Sequence, residues 1–141
     1  MKIYVLGSTA FVKEMVAWTD KLIAAGYNAW IHPEYREYVS VKDHPHLKGI
    51  EHGEHAQIKI QHDYIRQHYN GIVESDAIFI VNLEKKGVGG YIGGNVLMEL
   101  GFAYINHKKI FLLNPIPDLP YREEIEAVLP IVLDGDLSKI K

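Results

Sequence analysis

The chain is 141 residues long, a length that fits one compact domain, so we expect a single domain over residues 1–141. Its 15 basic and 18 acidic residues give a net charge of −3, which argues against a nucleic-acid polymer as partner. The absence of cysteine excludes disulfides and thiolate chemistry, and no segment is typical of a secretory leader or a membrane span, so we expect a cytoplasmic protein without a membrane partner.

The hydrophobic pattern predicts strands that alternate with helices. Apolar runs bounded by Gly or Pro predict strands, and apolar residues that recur every three or four positions predict helices. In chain order we expect a strand over 2–6, a helix over 11–23, a strand over 27–32, a helix over 54–74, a strand over 76–82, a helix around Glu99, a strand over 109–113, a helix over 121–128 and a strand over 131–133. The polar stretch 34–55 has no clear period and predicts a long loop or insertion. Such alternation indicates a parallel sheet with helices on both faces.

Three segments follow strands and should meet at the carboxyl edge of this sheet, where ligands of such folds bind: residues 7–9, 82–95 and 114–120. The middle segment is rich in glycine. However, Ile92 replaces the third glycine of a dinucleotide fingerprint, and Asn95 stands in place of the lysine of a P-loop. Two interpretations stay open, a mobile surface loop and a loop that contacts phosphate or sugar.

Glu99 is the acid of the helix that follows the glycine-rich loop, and apolar residues surround it in sequence. In the opening turns of a helix, unpaired backbone N–H groups and the helix dipole favour a carboxylate. A lone acid in an apolar helix indicates either a candidate nucleophile or an ordinary solvated side chain.

The histidines fall into two groups. Five lie between Asp43 and Asp63, where the spacing of His52 and His55 suits a metal, yet no cysteine or carboxylate completes a zinc pattern. We therefore expect a solvated, pH-sensitive loop there, and neither a metal nor another cofactor.

His68 differs from that group, because on the predicted helix it shares a face with Tyr64, Ile65 and Ile72 and should face the sheet. A packed core histidine and a functional histidine both fit this position. Asp63 lies about 140° further round the helix, so we do not expect it to share a site with His68.

Three segments of the chain resemble one enzyme family: KIYVLGS at the start, NGIVESDAIFIVN in the middle and GGNVLMELGFAYINHKKIFLL after it. They resemble nucleoside 2-deoxyribosyltransferases and the related deoxynucleoside 5′-monophosphate N-glycosidases, most densely from Asn70 to Leu113. The resemblance implies a flavodoxin-like three-layer αβα fold with a parallel sheet of about five strands. It also implies a nucleoside or nucleotide as ligand and a homo-oligomer, a dimer or larger, with sites completed across the interface.

The resemblance also implies roles for individual residues. Glu99 matches the catalytic Glu that attacks the anomeric carbon of the sugar in a retaining cleavage. Tyr4 matches the Tyr that orients this carboxylate. Gly7 and Ser8 match the turn that contacts the sugar or 5′-phosphate. His68 falls where the family has an Asp that helps to protonate the leaving base, a task that an imidazole can perform near neutral pH.

Four further positions belong to the predicted substrate site. Gly93 stands where relatives carry a polar side chain, and Gly94 and Asn95 follow it. Glu126 corresponds to a side chain that reaches the site from the partner subunit. The function implied is N-glycosidic bond cleavage or deoxyribosyl transfer through a glycosyl-Glu99 intermediate.

The substitutions at His68, Gly93 and Glu126 motivate an alternative of another class, a nucleotide-binding or sensing module that keeps the pocket without the chemistry. A flavodoxin-like flavin binder is a third interpretation, based on fold analogy alone.

Overall fold

Residues 1–40, 56–57, 60 and 63–141 are the part of the chain that the computed structural model describes. Its elements in chain order are β1 (Lys2–Gly7), α1 (Val12–Ala24), β2 (Asn28–Trp30), α2 (Pro33–Ser40), α3 (Tyr64–Val73), β3 (Ala77–Val81), α4 (Gly94–Ile105), β4 (Lys109–Leu112), α5 (Arg122–Ala127) and β5 (Ile131–Val132). Short 3₁₀ turns occupy Thr9–Phe11 and Leu137–Lys139. Within this part of the chain, no helix combines the length and the apolar composition needed to cross a bilayer.

The strands form one parallel five-stranded sheet in the order β2-β1-β3-β4-β5. This is the flavodoxin-like order, and it confirms the predicted fold. Strand order reverses between β1 and β3, where Tyr4 pairs with Ile78 and, on its other side, with Trp30. The side chain of Tyr4 thus starts from the centre of the sheet.

The sheet separates two hydrophobic cores, because side chains alternate between its faces. Ile3 and Val5 enter the core that α1 covers, whereas Tyr4 and Leu6 enter the core beneath α4 and α5. Strand β3 is buried at every position, as its uninterrupted apolar run predicted. Helices on both faces of the sheet give three layers.

The predicted loop over residues 34–55 is wrong at its beginning, where the chain forms α2. Pro33 is compatible with a helix start because the first N–H groups of a helix lack intrahelical partners. The buried face of α2 consists of Tyr35 and Tyr38. Two apolar positions are not enough to show a helical period in the sequence. The rest of that stretch lies outside the described residues, and of the predicted helix 54–74 the described continuous part is α3. The remaining strands and helices that were predicted with bounds are confirmed to within two residues at each end, and the helix predicted around Glu99 is α4.

Candidate functional site

A depression of about 180 Å³ opens between α3 and α4. Its lining residues are Ile65 and His68 from α3, and Asn95, Met98, Glu99 and Phe102 from α4. Two predicted catalytic residues, Glu99 and His68, therefore share one cavity with Asn95, a predicted substrate-binding residue.

The Glu99 side chain is buried, with 6% of the residue exposed. Glu99 is the sixth residue of α4 and lies past the first turn, which contains no acid. The unpaired N–H groups of a helix belong to its first four residues, so the expected stabilisation of the carboxylate by the helix start does not reach Glu99. The sequence pattern indicated Glu99, but the predicted stabilisation of its carboxylate by the helix start is wrong.

His68 is held between two tyrosines. The Tyr4 hydroxyl lies 2.8 Å from its Nδ1, and the Tyr35 hydroxyl lies 3.1 Å from its Nε2. All three side chains are buried. His68 faces inward as predicted, together with Tyr64 and Ile72, whereas Ile65 is 43% exposed. Both ring nitrogens of His68 thus have a phenol partner inside the chain.

Tyr4 is fixed by packing as well as by its hydrogen bond. Its ring stacks on Trp30 at a centroid distance of 4.1 Å, and the Trp30 indole donates to the Ser75 hydroxyl at 2.9 Å. Gly71 leaves the space that the Tyr4 ring needs, because a Cβ at that position would stand 2.8 Å from Tyr4 Cζ. The hydroxyl of Tyr4 therefore has a defined place, directed at His68.

Burial is the main cause that raises the pKa values of Tyr4 and Tyr35 well above the ordinary 10.0, and the charge of Glu99 is the next cause for both. The two phenols consequently stay protonated at neutral pH and serve as neutral hydrogen-bonding groups. The influence of Glu99 on both links the carboxylate to the tyrosine–histidine chain. The charge of Glu99 acts on the pKa of Tyr4, while the Tyr4 hydroxyl bonds to His68, so the orientation of Glu99 by Tyr4 stays a prediction.

A second tyrosine cluster connects α2 to α3. The Tyr38 hydroxyl donates to Glu34 Oε2 at 2.8 Å, and the Tyr64 hydroxyl bonds to the same oxygen and contacts that of Tyr38. Burial, together with these hydrogen bonds to Glu34, raises the pKa values of both phenols. This cluster places α2, and with it Tyr35, against His68.

Sequence reasoning missed Trp30, Tyr35 and the Glu34 cluster. The signal available for α2 was the spacing of Tyr35 and Tyr38, which is close to one helical turn. Nothing in the sequence indicates which residue stacks on Tyr4, because that contact depends on the pairing of β1 with β2.

Of the predicted residues Gly7 and Ser8, the first ends β1 and the second follows it, and both are absent from the lining of the depression. A Cβ at Gly7 would stand 2.9 Å from the Val81 carbonyl oxygen, so close strand packing accounts for this glycine. The Ser8 hydroxyl accepts from the Ala10 N–H at 3.3 Å and caps the 3₁₀ turn. Their contact with a ligand stays a prediction.

The predicted meeting of the loops after β3 and β4 is observed, and Asn82 organises it. Its side-chain amide donates to the Asn114 carbonyl at 3.0 Å and to the Gly90 and Pro115 carbonyls at 3.3 Å each. Gly90 has a φ of +68°, and a Cβ there would collide with the Pro115 carbonyl. The glycine-rich loop is therefore packed against its neighbour.

Gly93 and Gly94 lie where this loop enters α4. Gly93 is the N-cap residue with extended backbone, and a Cβ there would meet the Tyr91 ring at 3.3 Å. Gly94 begins the helix and is exposed. Neither lines the depression, although Asn95, the next residue, does.

Glu126 is exposed on α5 and forms an ion pair with Arg122 at 2.8 Å. It does not line the depression of its own chain, so its predicted contribution across a subunit interface stays a prediction. His52 and His55 lie outside the described residues. Within the described part of the chain, no group of three or more acidic, histidine or cysteine side chains is placed to hold a metal.

No protein-family model, curated protein or solved structure matches the chain. The resemblance to the deoxyribosyltransferase family consequently rests on the sequence segments that carry it.

Proposed function

We propose that this protein is an enzyme that breaks the N-glycosidic bond of a nucleoside or nucleotide, by hydrolysis or by transfer, with Glu99 as nucleophile. The observation that carries the proposal is the shared cavity of the buried Glu99 and His68, with Tyr4 bonded to that histidine. The expectations of a homo-oligomer and of a cytoplasmic location belong to the same proposal and rest on the resemblance.

In the first step, a Glu99 carboxylate oxygen attacks the anomeric carbon of the sugar. The N-glycosidic bond breaks, its electron pair leaves with the base nitrogen, and a glycosyl ester of Glu99 forms. The base nitrogen takes up a proton as it leaves. Burial of Glu99 suits this step, because a partly desolvated carboxylate is a stronger nucleophile than a fully hydrated one.

In the second step, water or the nitrogen of an incoming base attacks the same carbon. The ester bond breaks, the carboxylate of Glu99 is regenerated, and a proton leaves the attacking group. Two displacements at one carbon restore the original configuration, so the product of hydrolysis retains the anomeric stereochemistry.

The partners of His68 bear on its proposed role as proton donor to the leaving base. Each ring nitrogen already bonds to a buried phenol, so proton transfer to a ligand requires one of these bonds to break. His68 can hold the wall of the depression in position without breaking either bond.

The depression beside Glu99 does not enclose a whole nucleoside, because its 180 Å³ already include open space at its mouth. Pockets that enclose a whole small molecule usually measure about 300–1,000 Å³. The proposal requires only that the anomeric carbon of the ribose ring reach Glu99.

Incubation with a panel of nucleosides and 5′-nucleotides, followed by chromatography of free base, tests the proposal. Base release by the wild type that is lost in Glu99→Gln, with an unchanged circular dichroism spectrum, is the expected result. Glu123→Gln is the matched control, because Glu123 is an exposed acid on α5. Equal release by Glu99→Gln and the wild type would refute the mechanism.

The two hydrogen bonds that occupy both ring nitrogens of His68 favour the second candidate, a nucleotide-binding or sensing module without catalytic activity. A calorimetric titration that detects nucleotide binding, combined with no free base after long incubation, would support this module over the enzyme. Detection of free base would exclude it.

A further inference from the structure

Asn95 and Glu99 lie one helical turn apart on the side of α4 that lines the depression. Met98 and Phe102 belong to the same side, so the four residues have the spacing of one helical face. Residues four apart in a helix are about 5–6 Å from each other between Cβ atoms, and their side chains tilt toward the start of the helix. The Glu99 side chain is therefore directed toward the turn that carries Asn95.

The amide of Asn95 takes no part in holding the fold. Within the described part of the chain, no hydrogen bond joins its side chain to another residue. The N-cap residue of α4 is Gly93, so Asn95 does not cap the helix. By contrast, the amides of Asn82 and Asn106 donate to backbone carbonyl oxygens. Asparagine is also a weak helix former, so the stability of α4 does not explain its presence.

Asn95 is suited to bind a hydroxyl group in the depression. An amide carries both donors and an acceptor, as a hydroxyl does, and the residue is only partly buried. Of the other lining residues, His68 has both ring nitrogens bonded to tyrosines, and an ionised Glu99 is an acceptor without a donor. The remaining three lining residues are apolar: Ile65, Met98 and Phe102.

The stereochemistry of the proposed first step determines which hydroxyl approaches α4. In-line attack brings the Glu99 oxygen to the face of the sugar ring opposite to the base. In a β-ribonucleoside the 2′-hydroxyl lies on that same face, on the carbon next to the anomeric carbon. A 2′-deoxynucleoside has only hydrogen there, whereas the 3′-hydroxyl is further from the anomeric carbon and is present in both sugars. A ribose in position for attack thus presents its 2′-hydroxyl to the helix face of Asn95 and Glu99.

We propose that Asn95 is a specificity-determining residue, which selects ribosyl over 2′-deoxyribosyl substrates by a hydrogen bond to the 2′-hydroxyl. This inference rests on the proposed function, and it differs from the deoxyribose that the family resemblance implies. Asn95 Oδ1 accepts from the 2′-hydroxyl, so O2′ keeps electron density beside the anomeric carbon while positive charge develops there. Hydrogen bonds to this hydroxyl strengthen in the transition state of glycoside cleavage. A site that bonds a substrate hydroxyl also discriminates against the analogue that lacks it.

Calorimetric titration of Glu99→Gln measures the preference without turnover, with adenosine, 2′-deoxyadenosine, cytidine and 2′-deoxycytidine as probes. We expect each ribonucleoside to bind with a dissociation constant about tenfold lower than its 2′-deoxy counterpart, the effect of one hydrogen bond. Addition of Asn95→Ala should bring the two constants to within about twofold. Asn106→Ala in the same background is the matched control, because Asn106 lies at the other end of α4 and outside the depression. It should preserve the tenfold difference.

Base release measures the same preference in the transition state. Asn95→Ala should lower kcat/KM for the ribonucleosides about 10- to 100-fold and change it by less than about threefold for the 2′-deoxynucleosides. A merely structural role of Asn95 would lower both values equally and leave their ratio unchanged.

The two measurements separate failure of this inference from failure of the proposed function. Equal binding of the paired sugars, or a ribose preference that Asn95→Ala leaves unchanged, would overturn the role of Asn95 even if base is released. Ribose-selective binding that depends on Asn95, without any base release by the wild type, would refute the cleavage reaction and support the recognition. Failure to bind all four probes would overturn both.

Discussion

The Tyr4 hydroxyl and His68 Nδ1 lie 2.8 Å apart in a buried hydrogen bond that joins the middle of β1 to α3. Tyr35 reaches the other ring nitrogen of the same histidine from α2. Three elements that are distant in sequence thus share one buried polar centre. Of that centre, His68 lines the depression that contains Glu99.

Removal of the Tyr4 hydroxyl should destabilise the fold. In Tyr4→Phe the ring still stacks on Trp30, but a buried nitrogen of His68 loses its tyrosine partner. We expect the free energy of unfolding to fall by about 1–3 kcal/mol, measured by urea denaturation. Tyr104→Phe, at a tyrosine that is 46% exposed, should change it by less than about 0.5 kcal/mol. Equal stability of both variants would contradict the importance of this bond.

The raised pKa values of Tyr4 and Tyr35 also predict a loss of stability at alkaline pH. Burial and the charge of Glu99 raise their pKa values in the folded state above 10.0, the value expected in the unfolded chain. Above about pH 10 the unfolded chain releases protons that the folded chain retains, so stability is complete below that pH and decreases as the pH rises. Each of these two tyrosines lowers the free energy of unfolding by about 1.4 kcal/mol per pH unit in that range.

Urea denaturation at several pH values between about 8 and 11 measures this slope. Tyr4→Phe lacks one of the titrating groups, so its stability should decrease less steeply than that of the wild type. Parallel curves for the two proteins would show that Tyr4 does not titrate with a raised pKa.

Much of the fold could be predicted from the sequence, because apolar periodicity marks each strand and helix that packs against the sheet. Residues 77–81 are an example: their uninterrupted apolar run indicates a strand buried on both faces, and β3 occupies that position. Helix α2 could not be predicted in this way. Tyrosines and polar bonds, rather than an aliphatic stripe, hold it in place.

The candidate site could be predicted only in part. Resemblance and an apolar setting singled out Glu99, and helical spacing turned His68 toward the sheet, as the structure has it. The bond between His68 and Tyr35 could not be inferred, because it depends on where α2 packs. The predicted stabilisation of Glu99 by the helix start was wrong, because the sequence did not show at which residue the first turn of α4 begins.

Gly71 should tolerate no side chain. A Cβ there would stand 2.8 Å from Tyr4 Cζ and 3.0 Å from Trp30 Cη2, two rings that stack on each other. We expect Gly71→Ala to lower the free energy of unfolding by about 1–3 kcal/mol, even though alanine favours helices over glycine by about 1 kcal/mol. Asn70→Ala, at the exposed neighbour in α3, is the control and should be neutral or slightly stabilising in thermal unfolding. A stabilised Gly71→Ala would contradict the observed packing of Tyr4.

Asn82 should be a structural residue, although it lies at the edge of the sheet where ligands bind in such folds. Its amide donates to three carbonyl oxygens, and its own Oδ1 accepts from the Asn114 N–H at 2.9 Å. Asn82→Asp preserves the shape but turns an acceptor oxygen toward those carbonyls in a fully buried position, so we expect a loss of about 3 kcal/mol or more. Asn106→Asp, at the partly exposed end of α4, should cost about 1 kcal/mol or less in the same urea titration. If Asn82→Asp instead folds with wild-type stability and loses only ligand binding, the amide serves the ligand and the loops are held by other contacts.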